Sequence, residues 1–267
     1  MGWKRHCSGV LAWLGMICVA LPAAASTTVT FLTLEYPPYT SESMPAQGAM
    51  LEVLNGALAG KGYDIRVVFL PWARVPLELR QGNADGVLPC WQSEIGSFGL
   101  QASMAVFESR LGFYVRDTQA ATQKTDLPSL HGKKIGTVRG YGYPDNLLNA
   151  GLILEAVNDD ETNLKKLASN RIDTAAMEHA VGEYLMSSRK TWSLNANVRW
   201  QEPAFASIPL YFGIVPGRPG AAKLLRDINE GIEQMKRDGR FASITQRNVL
   251  DLPGAAKRRG NVANPPQ

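Results

Sequence analysis

Apolar residues in this chain alternate between short continuous runs and stretches in which they recur every three or four positions. Val29 to Leu34 reads as a first strand. Met50, Leu51, Leu54 and Leu58 recur at helical spacing, and Gly60 and Gly62 close that helix. Asp64 to Leu70 predicts a second strand. Pro71 opens the next helix, where it has no intrahelical N–H bond to lose, and Pro76 weakens that helix. Asp85 to Cys90 and Leu111 to Val115 predict a third and a fourth strand.

A second set follows a stretch rich in Thr, Gln, Ala and Asp, Arg116 to Pro128, which reads as a lobe boundary. Lys134 to Val138 is its first strand, followed by a Gly- and Tyr-rich turn and a helix start at Pro144 and Asp145. Leu152 to Val157 and Asp173 to Met177 predict strands. Asp160 to Ala168 and His179 to Met186 predict helices. The apolar run Leu210 to Val215 matches Leu111 to Val115, and an amphipathic helix follows through Leu224, Leu225, Ile228, Ile232 and Met235. Alternating strands and helices predict an α/β protein. If the chain crosses back at Leu210, residues 116–209 form a lobe inserted in another built from 26–115 and 210–250. Two hinge strands would then flank an interlobe cleft, a favoured place for ligands.

The first 25 residues carry a different pattern. Lys4 and Arg5 precede an apolar run from Val10 to Leu21, and Ala23 and Ala25 stand at the spacing of a secretion-signal cleavage site. A membrane span needs about 18–20 apolar residues, more than this run supplies. The expectation is therefore a cleaved signal over 1–25 and a soluble periplasmic chain with no membrane insertion. Cleavage removes Cys7 and Cys18, leaving Cys90 without an intramolecular disulfide partner. It also leaves 26 basic residues against 24 acidic ones, which gives nucleic-acid binding no support. Lys257, Arg258 and Arg259 sit in a Gly-, Pro- and Asn-rich stretch, 251–267, that reads as a disordered tail. His6, His131 and His179 are isolated, there is no G-x-S-x-G element, and no metal or other cofactor is expected.

Four segments in order carry a family likeness. Glu35-Tyr36-Pro37-Pro38-Tyr39 resembles the first ligand loop of the family 3 extracellular solute-binding proteins. Leu79-Arg80-Gln81-Gly82-Asn83-Ala84-Asp85-Gly86 resembles that family's L-x-x-G-x-x-D element. Leu130-His131-Gly132-Lys133-Lys134-Ile135-Gly136 resembles its L-x-G-K-K-I-G segment, and Arg171 to Glu178 its G-x-V-D-A-V-x-x-D strand end. The likeness spans most of 27–250. It implies the type II periplasmic binding fold, with two α/β lobes joined by two hinge strands, and a polar solute delivered to the membrane permease of an ABC importer. Amino-acid receptors of the family carry an Arg after the third strand that clamps the ligand's carboxylate. Here that stretch reads Trp91-Gln92-Ser93-Glu94-Ile95-Gly96-Ser97, without one.

Arg74 and Arg139 are the available substitutes for that clamp, if the ligand has a carboxylate at all. Tyr36, Tyr39, Trp72 and Trp91 are candidates to stack on a ligand or to pack in the core. Gly140, Tyr141, Gly142 and Tyr143 precede a helix start, and the resemblance places ligand contact in that turn. Glu178 falls where the family binds an amine, and an ordinary helix-start role is open beside it. Glu35 is a second carboxylate candidate. A binding protein for a small polar, amine-bearing or amino-acid-like solute is the first expectation. The alternatives are a dehydratase-like enzyme using Glu35, Glu94 or Glu178 as acid or base, and a solute sensor for a membrane receptor.

Overall fold

The structure, a computed structural model, describes residues 26–117, 126–188, 198–248 and 250. The expected signal over 1–25, the tail from 251 onward and most of the Arg116–Pro128 boundary lie outside the described residues.

The chain opens with β1 (Thr27–Thr33), α1 (Ala49–Leu58), β2 (Tyr63–Phe69), α2 (Val75–Arg80), β3 (Gly86–Cys90), α3 (Gln92–Ser97) and the short β4 (Gln101–Ala102). A long strand, β5 (Phe107–Arg116), leads to β6 (Lys134–Val138), α4 (Asp145–Leu148), β7 (Ile153–Val157), α5 (Asp160–Ala168), β8 (Thr174–Glu178) and α6 (His179–Ser187). The 17-residue β9 (Val198–Ile214) returns, followed by α7 (Ala221–Arg237) and α8 (Arg240–Arg247).

Strand pairing joins the two sets into one sheet of order β2-β1-β3-β9-β5-β8-β6-β7, with β4 on β9. In the first lobe β1 runs parallel to β2 and β3; in the second, β6 runs parallel to β7 and β8. β9 binds both. Its end at Tyr211–Ile214 pairs with β3, and residues from Val198 to Leu210 pair with β5. Leu111 to Tyr114 of β5 also pair with β8, inside the second lobe's ladder. The crossing between lobes therefore lies at Phe107–Arg110 against Ser207–Leu210.

The predicted strands and helices are present within a few residues, with two extensions. The sequence shows β9 only from Leu210, because Pro203, Pro209 and polar residues interrupt its first half. Pro203 falls where the β5–β9 register shifts between Leu111 and Phe113, so that proline does not interrupt the ladder. α3 and α8 are also absent from the expectation. α8 buries Phe241, Ile244 and Thr245, an i, i+3, i+4 face only two turns long.

Helix α7 buries Leu224, Ile228, Ile232 and Met235 against the first lobe, and α1 buries Met50, Leu51, Leu54 and Leu58 beside it. The two helices approach closely at Gly231. A Cβ there would collide with the backbone of Ala57. Backbone cannot yield as a flexible side chain does. Gly231→Val should therefore destabilise the fold by about 2 kcal/mol or more, the upper part of the usual overpacking range. Urea unfolding at unchanged slope measures this, and an unaltered midpoint contradicts the packing described.

Candidate functional site

The C-terminal ends of the parallel strands in the two lobes point at each other. β1 is followed by the Tyr36–Tyr39 turn, β2 by Trp72, and β3 by Trp91 and Glu94. From the other side, β6 is followed by Gly140 to Tyr143, β7 by Asn158 to Asp160, and β8 ends in Glu178. The crevice beyond strand carboxyl ends is the general ligand position in α/β sheets.

Backbone bonds fold the first turn tightly. Tyr36 N–H donates to Thr40 O at 2.8 Å, and Thr40 Oγ1 donates to Leu34 O at 2.8 Å. Both tyrosine rings are thereby turned inward and stacked, with centroids 5.5 Å apart. Tyr141 meets Tyr36 edge-on at 5.9 Å and Trp91 at 5.6 Å, while Tyr143 lies 5.8 Å from Trp91. Aromatic rings from both lobes so form one box.

Three carboxyl groups lie around it. Glu94 Oε2 accepts from Trp91 N–H at 2.8 Å, the reach-back half of a capping box at the start of α3. Its Oε1 accepts from Trp72 Nε1 at 2.7 Å and, across the lobes, from Gly142 N–H at 3.1 Å. Ser93 Oγ donates to Gly142 O at 2.7 Å, and Gly140, at φ +86°, lies against Ala73. The lobes are therefore in contact and the cleft is closed. Asp160 Oδ2 accepts from Tyr141 Oη at 2.9 Å. Glu178 Oε2 caps α6 by accepting from Val181 N–H at 2.7 Å, and its Oε1 accepts from Tyr39 Oη at 3.2 Å and Arg110 N–H at 3.3 Å. Glu178 is thus both a helix cap and a cleft carboxyl.

Burial dominates the electrostatics. It raises Glu94 to a pKa of about 7 against the pull of its three hydrogen bonds. Burial likewise raises Asp160 to about 7, and Glu178 to about 8 with the nearby Asp160 adding to the rise. The phenol groups of Tyr36, Tyr141 and Tyr143 are also pushed up, first by burial and then by these carboxylates. Asp160 Oδ1 is buried without a hydrogen-bond partner, while the buried Tyr36 Oη and Ser109 Oγ have each other.

Two connected spaces open here. A mouth of about 280 Å³ is lined by Glu35, Glu42, Phe69, Pro71, Asn158 and Asp159 among others, and it shares Leu34, Trp72 and Tyr141 with an inner space of about 10 Å³. Tyr36, Pro89, Trp91 and Glu94 complete the inner wall. A space of that size takes about one water, so a larger occupant requires the lobes to part further than they do here.

The structure brings Tyr39, Trp72, Trp91, Tyr141 and Glu178 together. Glu35 sits exposed at the mouth, with its Oε1 accepting from Glu42 N–H at 2.8 Å. Arg139 donates to Asn158 Oδ1 at 2.6 Å and to Ala156 O at 3.2 Å from an exposed position. Arg74 points outward: its side chain is 63% exposed and pairs with Glu78 at 3.9 Å. The structure does not bring Arg74 to the cleft. Asp160 escaped the sequence reading, although a carboxylate just after a predicted strand was its visible signal.

No family model matches the chain, and no curated protein matches it either. Solved structures do. A histidine kinase sensor domain with similarity to periplasmic binding proteins superposes with a TM-score of 0.74 at 17% identity, covering 85% of this chain and 99% of its own. That resolves the architecture. The fold is that of the type II periplasmic binding proteins. An ancestral arginine-binding protein bound to arginine follows at TM-score 0.70 and 20% identity, covering 82% and 97%. The GluR0 ligand-binding core of Nostoc punctiforme with L-glutamate gives 0.69 at 14%, covering 82% and 98%.

The raised carboxyls make the closed form pH-sensitive. Between about pH 5 and 8 the folded chain holds protons that ordinary carboxylates of the unfolded chain have lost, so stability is greater at the acid end and falls as pH rises. Each pKa unit corresponds to about 1.4 kcal/mol. The ligand-free chain should lose melting temperature steadily from about pH 5 to pH 8, and Glu94→Gln should flatten that slope by roughly a third. A slope unchanged by Glu94→Gln contradicts the assignment.

Proposed function

We propose that this chain is an exported, non-enzymatic solute-binding protein that closes two lobes on a small polar, amine-bearing ligand and delivers it to the permease of an ABC importer. The observation that carries the reading is the closed cleft itself. Turns from both lobes supply its aromatic walls, and Glu94 of one lobe bonds Gly142 of the other. Among the similar structures is the substrate-binding protein of an amino acid ABC transporter, 15% identical with a TM-score of 0.69. Among the described residues no helix is long and apolar enough to cross a membrane.

Lobe one comprises 26–115 and 210–250 by sequence, and lobe two 116–209. We place the bending point at the crossing of Phe107–Arg110 and Ser207–Leu210, which the pairing of β5 with β8 and β9 supports. Opening there would separate Gly142 from Glu94 and Glu178 from Tyr39. Those same bonds leave Glu94 and Glu178 engaged as acceptors, which favours binding over acid–base chemistry. A solute sensor is the second reading, favoured by the likeness to the kinase sensor domain. Uptake assays in cells lacking the gene separate the two: lost uptake supports the importer, and intact uptake with a lost response supports the sensor.

A ligand at 100 times its Kd should add about 2.7 kcal/mol to stability. A thermal-shift screen of amino acids, amines, dipeptides and organic acids detects a gain of that size. Saturation with a hit should also change the fluorescence of Trp72 and Trp91, which line the inner space. A panel without any hit contradicts solute binding.

A further inference from the structure

Four carboxyl groups line the cleft and two more lie behind its wall. Glu35, Glu42 and Asp159 line its mouth and Glu94 its inner space, while Asp160 and Glu178 are buried behind the tyrosines, bonded to Tyr141 and Tyr39. None of the residues lining either space is a lysine or an arginine. The cations nearby in sequence are turned elsewhere. Arg110 donates to Glu202 at 2.7 Å and lies over the Trp200 ring, on the strand face opposite Ser109. Arg74 points outward, and Arg139 is exposed and held on Asn158 at the rim of the mouth.

A ligand carboxylate entering this cleft would lose its hydration and meet like charge, with no buried cation to receive it. A cation would meet the rings of Tyr36, Trp91 and Tyr141 and carboxyl acceptors behind and beside them. The acceptors fall into two groups. The buried Tyr36 hydroxyl, hydrogen-bonded to Ser109, lies in the field of Glu178 and Asp160, and Asp160 Oδ1 is buried without a partner. Glu94 lies on the side of Trp72 and Trp91. Among the described residues no three His, Cys, Asp or Glu side chains converge as metal ligands, so the geometry suits an organic cation.

We infer that the cleft's occupant is an organic dication lacking a carboxylate, an α,ω-diamine, with one ammonium at Asp160 and Glu178 and the other at Glu94. The inference rests on the solute-binding reading above and narrows its ligand. One ammonium would use the free Oδ1 of Asp160, and the methylene chain would lie against the tyrosine and tryptophan rings. The second ammonium would take up the charge of Glu94. A monoamine would leave one of these carboxyl groups without a counter-charge.

Titration calorimetry of the mature chain at neutral pH tests this with 1,3-diaminopropane through 1,6-diaminohexane, n-butylamine, the ω-amino acids of matching length, L-arginine and L-glutamate. The best diamine should bind at least ten-fold more tightly than every monoamine or amino acid in the set. Asp160→Asn and Glu94→Gln should each weaken that diamine at least ten-fold, and Arg139→Ala should stay within about three-fold of the unaltered chain. Circular dichroism confirms that the variants fold, and the ligand series on the unaltered chain stands without them. An amino acid or organic acid that binds as tightly as the best diamine overturns the dication while leaving solute binding intact. Loss of diamine binding in Arg139→Ala overturns it as well. No response to any compound overturns the solute-binding reading and the inference with it.

Discussion

Three carboxyl groups buried where two lobes meet, with no lysine or arginine among the described residues that line the cleft beside them, constrain the rest of this structure. Taking a carboxylate out of water is costly unless it is paired or protonated. Glu94, Asp160 and Glu178 each receive hydrogen bonds, yet burial still wins and lifts all three toward neutral pH. Without a ligand, the closed form therefore holds protons there. A cationic solute supplies the missing charge, so the energy of closing and the charge of the ligand are one quantity.

The fold explains how such groups come to lie together. Each follows a parallel strand, and strand carboxyl ends in both lobes converge on one crevice. Two of the three also have local duties that hold them in place. Glu178 caps α6, and Glu94 reaches back to the amide of Trp91 at the start of α3. Each side chain is oriented through one oxygen by its own helix, while the other oxygen faces the opposite lobe. Only the β5–β9 crossing carries paired strands between the lobes among the described residues, and Ser109 lies within it.

Much of this was legible in the sequence because it rests on periodicity. The strand at Lys134–Val138 and the helix at Asp160–Ala168 stand where the apolar pattern put them. The turn after β1 was legible as well, since Tyr36 and Tyr39 flank a pair of prolines at a strand end. The extent of β9 was not, because prolines that usually end strands sit here at a register shift and at the crossing. Charge geometry was less legible still. The missing arginine after Trp91 was visible, but a sequence cannot show that Arg74 turns outward or that Arg139 is held by Asn158. Nor can it show that Asp160, which opens a helix, is buried beneath Tyr141.

If the closed cleft exchanges its protons for a cation, binding must release protons to the buffer. Calorimetry of a saturating diamine at about pH 6.5, repeated in two buffers of different ionisation enthalpy, counts them directly. Carboxyl groups with pKa values of about 7 to 8 in the ligand-free closed form predict the release of about one proton or more per ligand bound. Equal heats in both buffers, or proton uptake, would contradict the coupling of buried carboxyl charge to closure.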